Sequence, residues 1–160
     1  MTRFLIALGL ALTLAACGHG KSAKANSDAG AAFLAQNAHA PGVMLLPSGV
    51  QYKIVTSGPA DGPHPQPADE VKVNYEGKLL SGKVFDSSFE RGVPASFPLN
   101  SLIPAWIEAM QRMRPGDEWI LFVPPAQGYG DQDQGEIPPN SVLIFRIQLL
   151  GVLPRPAENG

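Results

Sequence analysis

Glycine and proline constrain the fold of this chain more than any other feature. Its 160 residues include 17 glycines and 16 prolines. Proline cannot donate a backbone hydrogen bond inside a helix or a central strand, and glycine weakens both elements. Both residues are typical of turns. The composition therefore favours a turn-rich domain that contains β-strands over a helical bundle.

Four segments have the composition of β-strands. They are Val50–Val55, Val71–Glu76, Trp119–Val123 and Val142–Leu150. In the second and the fourth, large apolar residues recur at every second position, which gives each strand one face for a core. Residues 57–69 contain four prolines and are predicted to form a loop.

One short helix is predicted between the strands. Pro104 suits a first helical position, and apolar residues follow with helical spacing. The helix is expected to end before Arg114-Pro115-Gly116. Strands, one short helix and further strands predict an α+β fold in which the helix packs on an antiparallel sheet. The apolar residues of the helix are Ile103, Trp106, Ile107 and Met110.

Residues 1–16 are predicted to be a signal peptide. Arg3 precedes an apolar run over residues 4–14 that is too short to cross a membrane as a helix. The run ends in Leu14-Ala15-Ala16-Cys17, which resembles the bacterial lipoprotein signal, in which the cysteine is lipidated and becomes the first residue. An ordinary secretory leader with an incidental cysteine is the alternative. We expect lipidation at Cys17 and a protein that is exported and held on a membrane.

Residues 17–46 are predicted to form a flexible tether, because the small polar residues after Cys17 cannot bury enough apolar surface to fold. Within the tether, Asp28–Ala38 has helix-forming composition, with Asp28 as a candidate N-cap. A helix this short is marginal by itself. Residues 154–160 are expected to form a C-terminal tail.

Charge, cysteine and histidine exclude several classes of function. The formal net charge is −2 and no basic cluster is present, so nucleic acid is not an expected partner. A single cysteine excludes an intrachain disulfide. The three histidines, His19, His39 and His64, lie in the tether or the proline-rich loop, which offer no scaffold for a metal site or a catalytic triad. We expect neither a metal nor a cofactor.

Five aromatic residues between positions 75 and 145 are candidates for a ligand pocket. An apolar cup with a few polar groups is the usual form of a site for a small ligand or a peptide side chain. Asp86 directly follows one of the aromatics, and no histidine or cysteine lies nearby to act as a base or nucleophile. An enzyme with this site would use neither proton transfer nor a covalent intermediate. The aromatics are Tyr75, Phe85, Trp106, Tyr129 and Phe145.

Plainer explanations of these residues remain open at this point. Tyr75, Trp106 and Phe145 occupy positions typical of a hydrophobic core. Asp86 precedes two serines and is a candidate turn-capping residue. Tyr129 lies between two glycines, where an exposed aromatic residue more often indicates binding.

Several spaced motifs resemble those of the FKBP-type peptidyl-prolyl cis-trans isomerases. The resemblance covers residues 47–153, and residues 33–35 and 47–52 further resemble the bacterial Mip-like branch of exported members. The motifs are Val73-Asn74-Tyr75-Glu76-Gly77, Gly82-Lys83-Val84-Phe85-Asp86-Ser87-Ser88, Leu102-Ile103-Pro104-Ala105-Trp106, Tyr129-Gly130 and Ile137-Pro138-Pro139-Asn140.

The resemblance implies a twisted antiparallel sheet curved around the short helix, with the pocket between them. It also implies a role for each site residue. Trp106 forms the floor, and Tyr75, Phe85 and Phe145 form the walls. Leu102 and Ile103 line the rim, and Ile137 joins them in binding substrate. Tyr129 offers its hydroxyl to the substrate carbonyl, and Asp86 is the polar residue inside the pocket.

Three departures from the family pattern affect these expectations. Ala95 stands where many eukaryotic members have an aromatic residue, which thins one wall. Ala105 stands where a glycine usually precedes the tryptophan. The long N-terminal dimerisation helix of Mip-like relatives is expected to be reduced to a few turns at most, which predicts a monomer.

The resemblance implies a peptidyl-prolyl cis-trans isomerase that acts on proline-containing, unfolded or partly folded proteins of the bacterial envelope. The lipid on Cys17 would hold it at a membrane facing the periplasm, and Gly18 favours the outer over the inner membrane. Binding of tacrolimus-type macrolides is also implied. The alternative is a non-catalytic chaperone or assembly factor that holds prolyl segments in the same pocket.

Overall fold

The computed structural model describes residues 17–155, with side chains from residue 22 onward. The predicted signal peptide, the lipidation of the Cys17 side chain and residues 156–160 of the predicted tail lie outside the described residues. No helix within this described part is long and apolar enough to cross a membrane.

Seven strands form one antiparallel sheet. Its order is β1-β2-β6-β7-β3-β4, and β5 pairs with β3 beside β4. The predicted α+β class is confirmed. The strands are β1 Val43–Leu45, β2 Gln51–Thr56, β3 Glu70–Leu79, β4 Val84–Ser87, β5 Ala95–Pro98, β6 Glu118–Val123 and β7 Leu143–Leu153.

The core lies between α3 (Pro104–Met110) and one face of the central strands. Alternate residues of β3, β6 and β7 are buried, which follows from the two-residue period of a strand. Pro104 is in the first turn of α3, as predicted, and the helix buries its apolar face on the sheet. The buried residues of α3 are Ala105, Trp106, Ala109 and Met110.

A four-residue helix, α2 (Ser88–Arg91), follows β4 directly. Ser87 caps it, since its Oγ accepts from the backbone N–H of Glu90 at 3.2 Å. Gly92 ends the helix with φ 70°, in the left-handed region that glycine adopts without strain. A helix this short has no periodicity that sequence could reveal. The capping residue is Ser87, so Asp86 is free for other contacts.

The structure differs most from the expectation in the predicted tether. Residues Cys17–Asn37 form one helix, α1, of nearly six turns at 3.6 residues per turn, where at most a short helix over 28–38 was expected. The following strand β1 also falls within the predicted tether and pairs with β2. Flexibility was expected because the composition of this segment was considered without the rest of the chain. In the structure, α1 and β1 both contact the sheet.

Helix α1 packs on the sheet face opposite the core. Its less exposed residues recur at positions 23, 26, 30, 33 and 37, a spacing of three and four that places them on one helix face. Phe33 contacts Phe122 with ring centroids 5.9 Å apart. Gln51 donates from Nε2 to the carbonyl oxygen of Leu34 at 2.7 Å. These tertiary contacts explain a helix whose composition alone was marginal.

Candidate active site

A cavity of about 460 Å³ lies between α3, the sheet and the loops after β6. Its volume is in the range of sites for small ligands. The structure brings together all nine residues predicted to form the pocket, together with three that were not predicted. The lining residues are Tyr75, Phe85, Asp86, Phe97, Ser101, Leu102, Ile103, Trp106, Tyr129, Gln134, Ile137 and Phe145.

The aromatic walls are held by edge-to-face contacts around Trp106. The rings of Tyr75 and Phe145 each lie 5.3 Å from the Trp106 ring, at 83° and 87°. Phe85 meets Phe145 at 5.7 Å and 87°. Such pairs stabilise a particular ring orientation beyond the area that they bury. Because each ring is fixed by another, the walls are shaped before a ligand enters.

Gly77 allows two of these rings to meet. It lies on β3, paired with Phe145 of β7 and Asp86 of β4. A Cβ placed on Gly77 would lie 2.6 Å from the Phe85 ring and 2.7 Å from the Phe145 ring. Real Cβ contacts are not this short, so the ring pair requires a residue without a side chain here.

Phe97 supplies an aromatic wall that the sequence analysis missed. It lies on β5, two residues after Ala95 and on the same strand face. Its ring lies 6.0 Å from that of Tyr75 and 6.3 Å from that of Trp106. The pocket wall was expected to be thinner at Ala95, and the Phe97 ring lines the pocket two residues further along the same strand. The strand is only four residues long, from Ala95 after Pro94 to Pro98, and its alternation was too short to recognise.

Asp86 lies in the pocket with both carboxylate oxygens bonded. The Tyr75 hydroxyl donates to Oδ2, and Arg91 Nη1 donates to Oδ1. Arg91 also donates from Nη2 to the Tyr75 hydroxyl oxygen at 3.1 Å, and its guanidinium carbon lies 5.6 Å from the centre of the Tyr75 ring. Arg91 follows Asp86 by five residues, and helix α2 folds the chain back so that the two side chains meet. Tyr75, Asp86 and Arg91 therefore form a triangle in which each residue bonds to the other two.

The electrostatics of this triangle oppose a role for Asp86 as a base. Burial alone would raise the pKa of Asp86, but hydrogen bonds from Tyr75 and Arg91 outweigh it, and the pKa lies below its ordinary value. Burial, followed by the hydrogen bond to Asp86, raises the pKa of Tyr75. Asp86 is therefore an ionised acceptor at neutral pH, and Tyr75 is a neutral donor.

The open side of the pocket is formed by loops. Tyr129, Gln134 and Ile137 lie between the 3₁₀ turn Pro125–Gln127 and β7. Tyr129 is 37% exposed, and among residues 22–155 no side chain bonds to its hydroxyl. This hydroxyl is thus available to a ligand.

Ser101, Gln134 and Arg91 were not predicted either. Ser101 and Gln134 are small or amide side chains in turns, which carry no distinguishing signal in a single sequence. Arg91 follows Asp86 at a spacing that only a helix after β4 would bring close. Within the described chain, no group of three or more His, Cys, Asp or Glu side chains is placed to hold a metal ion.

Comparisons with known proteins agree with this geometry. The sequence model of the FKBP-type peptidyl-prolyl cis-trans isomerases matches residues 62–150, and that of the domain amino terminal to such isomerases matches residues 14–54. The chain belongs to the FKBP-type isomerase family. The resemblance inferred from the motifs is thus confirmed, and the second match covers α1.

Several curated relatives of this FKBP-type chain are bacterial. It is 49% identical over 128 residues to the peptidyl-prolyl cis-trans isomerase Mip of Coxiella burnetii, covering 79% of this chain and 55% of that protein. It is 45% identical to the outer membrane protein MIP of Legionella longbeachae, covering 82% and 56%. The chain spans about half the length of these relatives.

Solved structures match the FKBP-type chain at lower identity. The crystal structure of FkpA from Escherichia coli aligns with a TM-score of 0.81 at 38% identity, covering 86% of this chain and 64% of that one. A peptidyl-prolyl cis-trans isomerase from Pseudomonas syringae aligns with a TM-score of 0.75 at 36% identity, covering 82% and 96%. The names of these relatives favour the catalytic hypothesis over the non-catalytic binder.

Proposed function

We propose that this chain is a peptidyl-prolyl cis-trans isomerase that accelerates rotation about Xaa-Pro bonds in exported proteins. One observation carries the proposal: the pocket is an interlocked aromatic cup whose single carboxylate is already paired. A dry cup with no available base suits a reaction that breaks no bond. Membership of the FKBP-type family supports the same conclusion.

The barrier to rotation comes from the peptide bond itself. Resonance gives the C–N bond partial double-bond character, with a barrier of about 18–20 kcal/mol. The planar amide has more charge separation than the twisted one, so water stabilises the planar form more. A pocket that excludes water therefore favours the twisted amide. The rings of Tyr75, Phe85, Trp106 and Phe145 would exclude that water.

The polar groups of the pocket would position the substrate. Tyr129, at the mouth, would donate its hydroxyl to a substrate carbonyl. Leu102, Ile103 and Ile137 would contact the residues that flank the proline. Asp86 and Arg91 would hold the Tyr75 ring upright by its hydroxyl, so their contribution is to the shape and the electrostatics of the cup.

The test is an isomerisation assay on an Xaa-Pro peptide. The protein is the chain from residue 17 onward with Cys17→Ser, so that it is purified without lipid. We expect first-order acceleration that is proportional to enzyme concentration. A matched protein with Trp106→Ala and Phe145→Ala controls for contaminating isomerases. If the unmodified pocket gives no rate above that control, the chain is not an isomerase.

We further propose that the protein is a lipoprotein of the bacterial envelope that faces the periplasm and is held at the outer rather than the inner membrane. The sequence Leu14-Ala15-Ala16-Cys17 supports lipidation, and one relative is named an outer membrane protein. Two or more acyl chains are needed for stable anchoring. Mass spectrometry of the mature N-terminus should find a diacylated or triacylated Cys17, and fractionation should lose the membrane-bound pool in Cys17→Ser.

Two further properties follow as proposals from the family resemblance. The pocket should bind tacrolimus-type macrolides, and competition in the isomerisation assay measures this. The clients should be proline-containing unfolded or partly folded envelope proteins. Slow refolding of such a client, limited by proline isomerisation, should become faster in the presence of the chain.

A further inference from the structure

Helix α1 contacts the segment that closes one side of the pocket. Asn26 donates from Nδ2 to the carbonyl oxygen of Pro139 at 3.1 Å. In return, Asn140 donates from Nδ2 to the carbonyl oxygen of Ala23 at 3.5 Å. Gly30 is buried, and a Cβ placed on it would lie 2.7 Å from Val142 Cγ2. The middle of α1 therefore lies directly on residues 139–142.

Residues 139–142 are in turn bonded to the loops that line the pocket. The backbone N–H of Asn140 donates to the carbonyl oxygen of Gly130 at 2.8 Å, next to Tyr129. Asn140 itself has φ 58°, a left-handed conformation that Asn tolerates better than most residues. Ile137 precedes Pro139 by two residues, and its carbonyl oxygen accepts from the N–H of Gln134 at 3.1 Å.

Tyr129, Gln134 and Ile137 form one side of the pocket, which we call the loop wall. They belong to the bonded segments, and their loops carry little regular structure. The loop wall is thus the part of the pocket that α1 can influence. The aromatic floor and walls belong to the sheet and α3, on the opposite face of the sheet from α1. A change in the docking of α1 should therefore move the loop wall and leave the aromatic cup in place.

We propose that α1 is a working part of the substrate site, and that Asn26 is a positioning residue for Tyr129 and Ile137. Its bond to Pro139 holds the loop wall at the distance that substrate requires. Without the bond from Asn26 to Pro139, residues 139–142 and the loop wall are less firmly held, so substrate binding must order them again. The cost appears mainly in KM, because the aromatic cup that favours the twisted amide is unchanged. This inference rests on the proposed isomerase function.

Two matched asparagine variants test the proposal. Asn26 and Asn37 lie on the same face of α1, and each donates one hydrogen bond to the domain. Asn37 bonds to Gln51 Oε1 at 2.8 Å, away from the pocket loops. We expect Asn26→Ala to raise KM for an Xaa-Pro peptide about three- to tenfold, the usual effect of one hydrogen bond. Asn37→Ala should leave KM near that of the unmodified chain.

Hydrogen exchange supplies a readout that does not depend on activity. In Asn26→Ala the amides of Asn140 and Gln134 should exchange faster, because both are donors in the loop wall. In Asn37→Ala their exchange should be unchanged. Gly30→Ala is a second variant with the same expectation as Asn26→Ala, since the added Cβ pushes α1 away from Val142 while favouring the helix itself.

The outcomes separate the two proposals. If the unmodified chain accelerates isomerisation, KM decides: an unchanged KM in Asn26→Ala, or an equal rise in both asparagine variants, overturns the positioning role. If the unmodified chain is inactive, the proposed function fails and exchange decides. Selective loss of protection in Asn26→Ala then supports the role of α1 in holding the loop wall, and equal protection in both variants overturns it.

Discussion

The Asp86 carboxylate lies inside a ligand pocket, yet both of its oxygens are bonded, one to the Tyr75 hydroxyl and one to Arg91. The same pairing keeps the Tyr75 ring against Trp106. Asp86, a candidate turn-capping residue by sequence, instead bonds to Tyr75 and Arg91, and Ser87 caps the helix that follows. At the scale of single residues, the role of a polar side chain such as Asp86 depends on which atoms it bonds to.

The lowered pKa of Asp86 predicts a dependence of stability on pH. A carboxyl whose folded pKa is depressed stabilises the fold above its unfolded pKa of about 3.9, and this stabilisation is lost as pH falls through the lower folded pKa. The difference in thermal unfolding between the unmodified chain and Asp86→Asn should therefore be present at pH 7 and shrink as the pH falls below the unfolded pKa. Because the Asp86 side chain is 41% exposed, the difference should be small. A gap that widens on acidification would contradict the assignment.

Tyr129→Phe removes the hydroxyl at the mouth and keeps the ring. We expect kcat/KM for an Xaa-Pro peptide to fall about two- to tenfold, since one hydrogen bond contributes about 0.5–1.5 kcal/mol. The melting temperature should not change, because the hydroxyl bonds to no described side chain. An unaltered kcat/KM would remove Tyr129 from the proposed mechanism.

Tyr75→Phe separates ring from hydroxyl inside the cup. The ring contacts with Trp106 and Phe97 remain, while Asp86 and Arg91 each lose a partner. We expect turnover to fall, and Tyr75→Ala to lower it further without unfolding the domain. Circular dichroism checks the fold of both variants. Equal turnover in the two would show that the ring has no role apart from its hydroxyl.

At the scale of elements, the pocket exists because strands β3, β4, β5 and β7 each contribute a ring above α3. The strands approach closely only where the residues allow it, and Gly77 is such a position. Helix α3 contributes Trp106 as the ring that the others contact. The cup is therefore a property of strand register as much as of aromatic composition.

Gly77→Ala tests this dependence on close approach. The new methyl group would meet the Phe85 and Phe145 rings, and overpacking of this kind costs about 1–3 kcal/mol. We expect a lower midpoint of denaturant unfolding together with lower isomerase activity. Gly151→Ala is the matched control on β7, where an added Cβ has nothing within 4 Å. Similar losses in both variants would indicate a general cost of alanine in the sheet.

At the scale of the whole molecule, the sheet separates two layers. Helix α3 and the pocket lie on one face, and α1 lies on the other, where its inward-facing residues contact Phe122, Gln51 and Val142. That side of α1 is covered by its own domain and is not available to a second copy. The monomer stays a prediction: it was expected because this helix was expected to be short, and α1 is longer than expected.

The monomer is tested by light scattering coupled to gel filtration on the chain with Cys17→Ser. We expect the mass of one chain across the concentrations used in the isomerisation assay. Phe33→Ala, which weakens the contact with Phe122, serves as a comparison, since a released α1 could expose its apolar side. A mass of two chains for the unmodified protein would contradict the prediction.

Much of this protein could be predicted from local pattern. The strands with two-residue alternation, the helix after Pro104 and the spaced motifs predicted the fold class and nine of the pocket residues, because each signal lies within a few neighbouring residues. Phe97 and Arg91 were missed because a four-residue strand and a four-residue helix are too short to show a period.

Tertiary structure alone decided what depends on distant partners. By composition, the amide and glycine residues on α1 are typical of a flexible tether. Their partners in the structure are Pro139, Val142 and Gln51, each more than a dozen residues away in sequence. Asp86 likewise acquires its role from Tyr75, on another strand. Local periodicity predicted the longer core strands and α3, whereas the state of α1 and of the Asp86 carboxylate depended on contacts that only the folded sheet brings together.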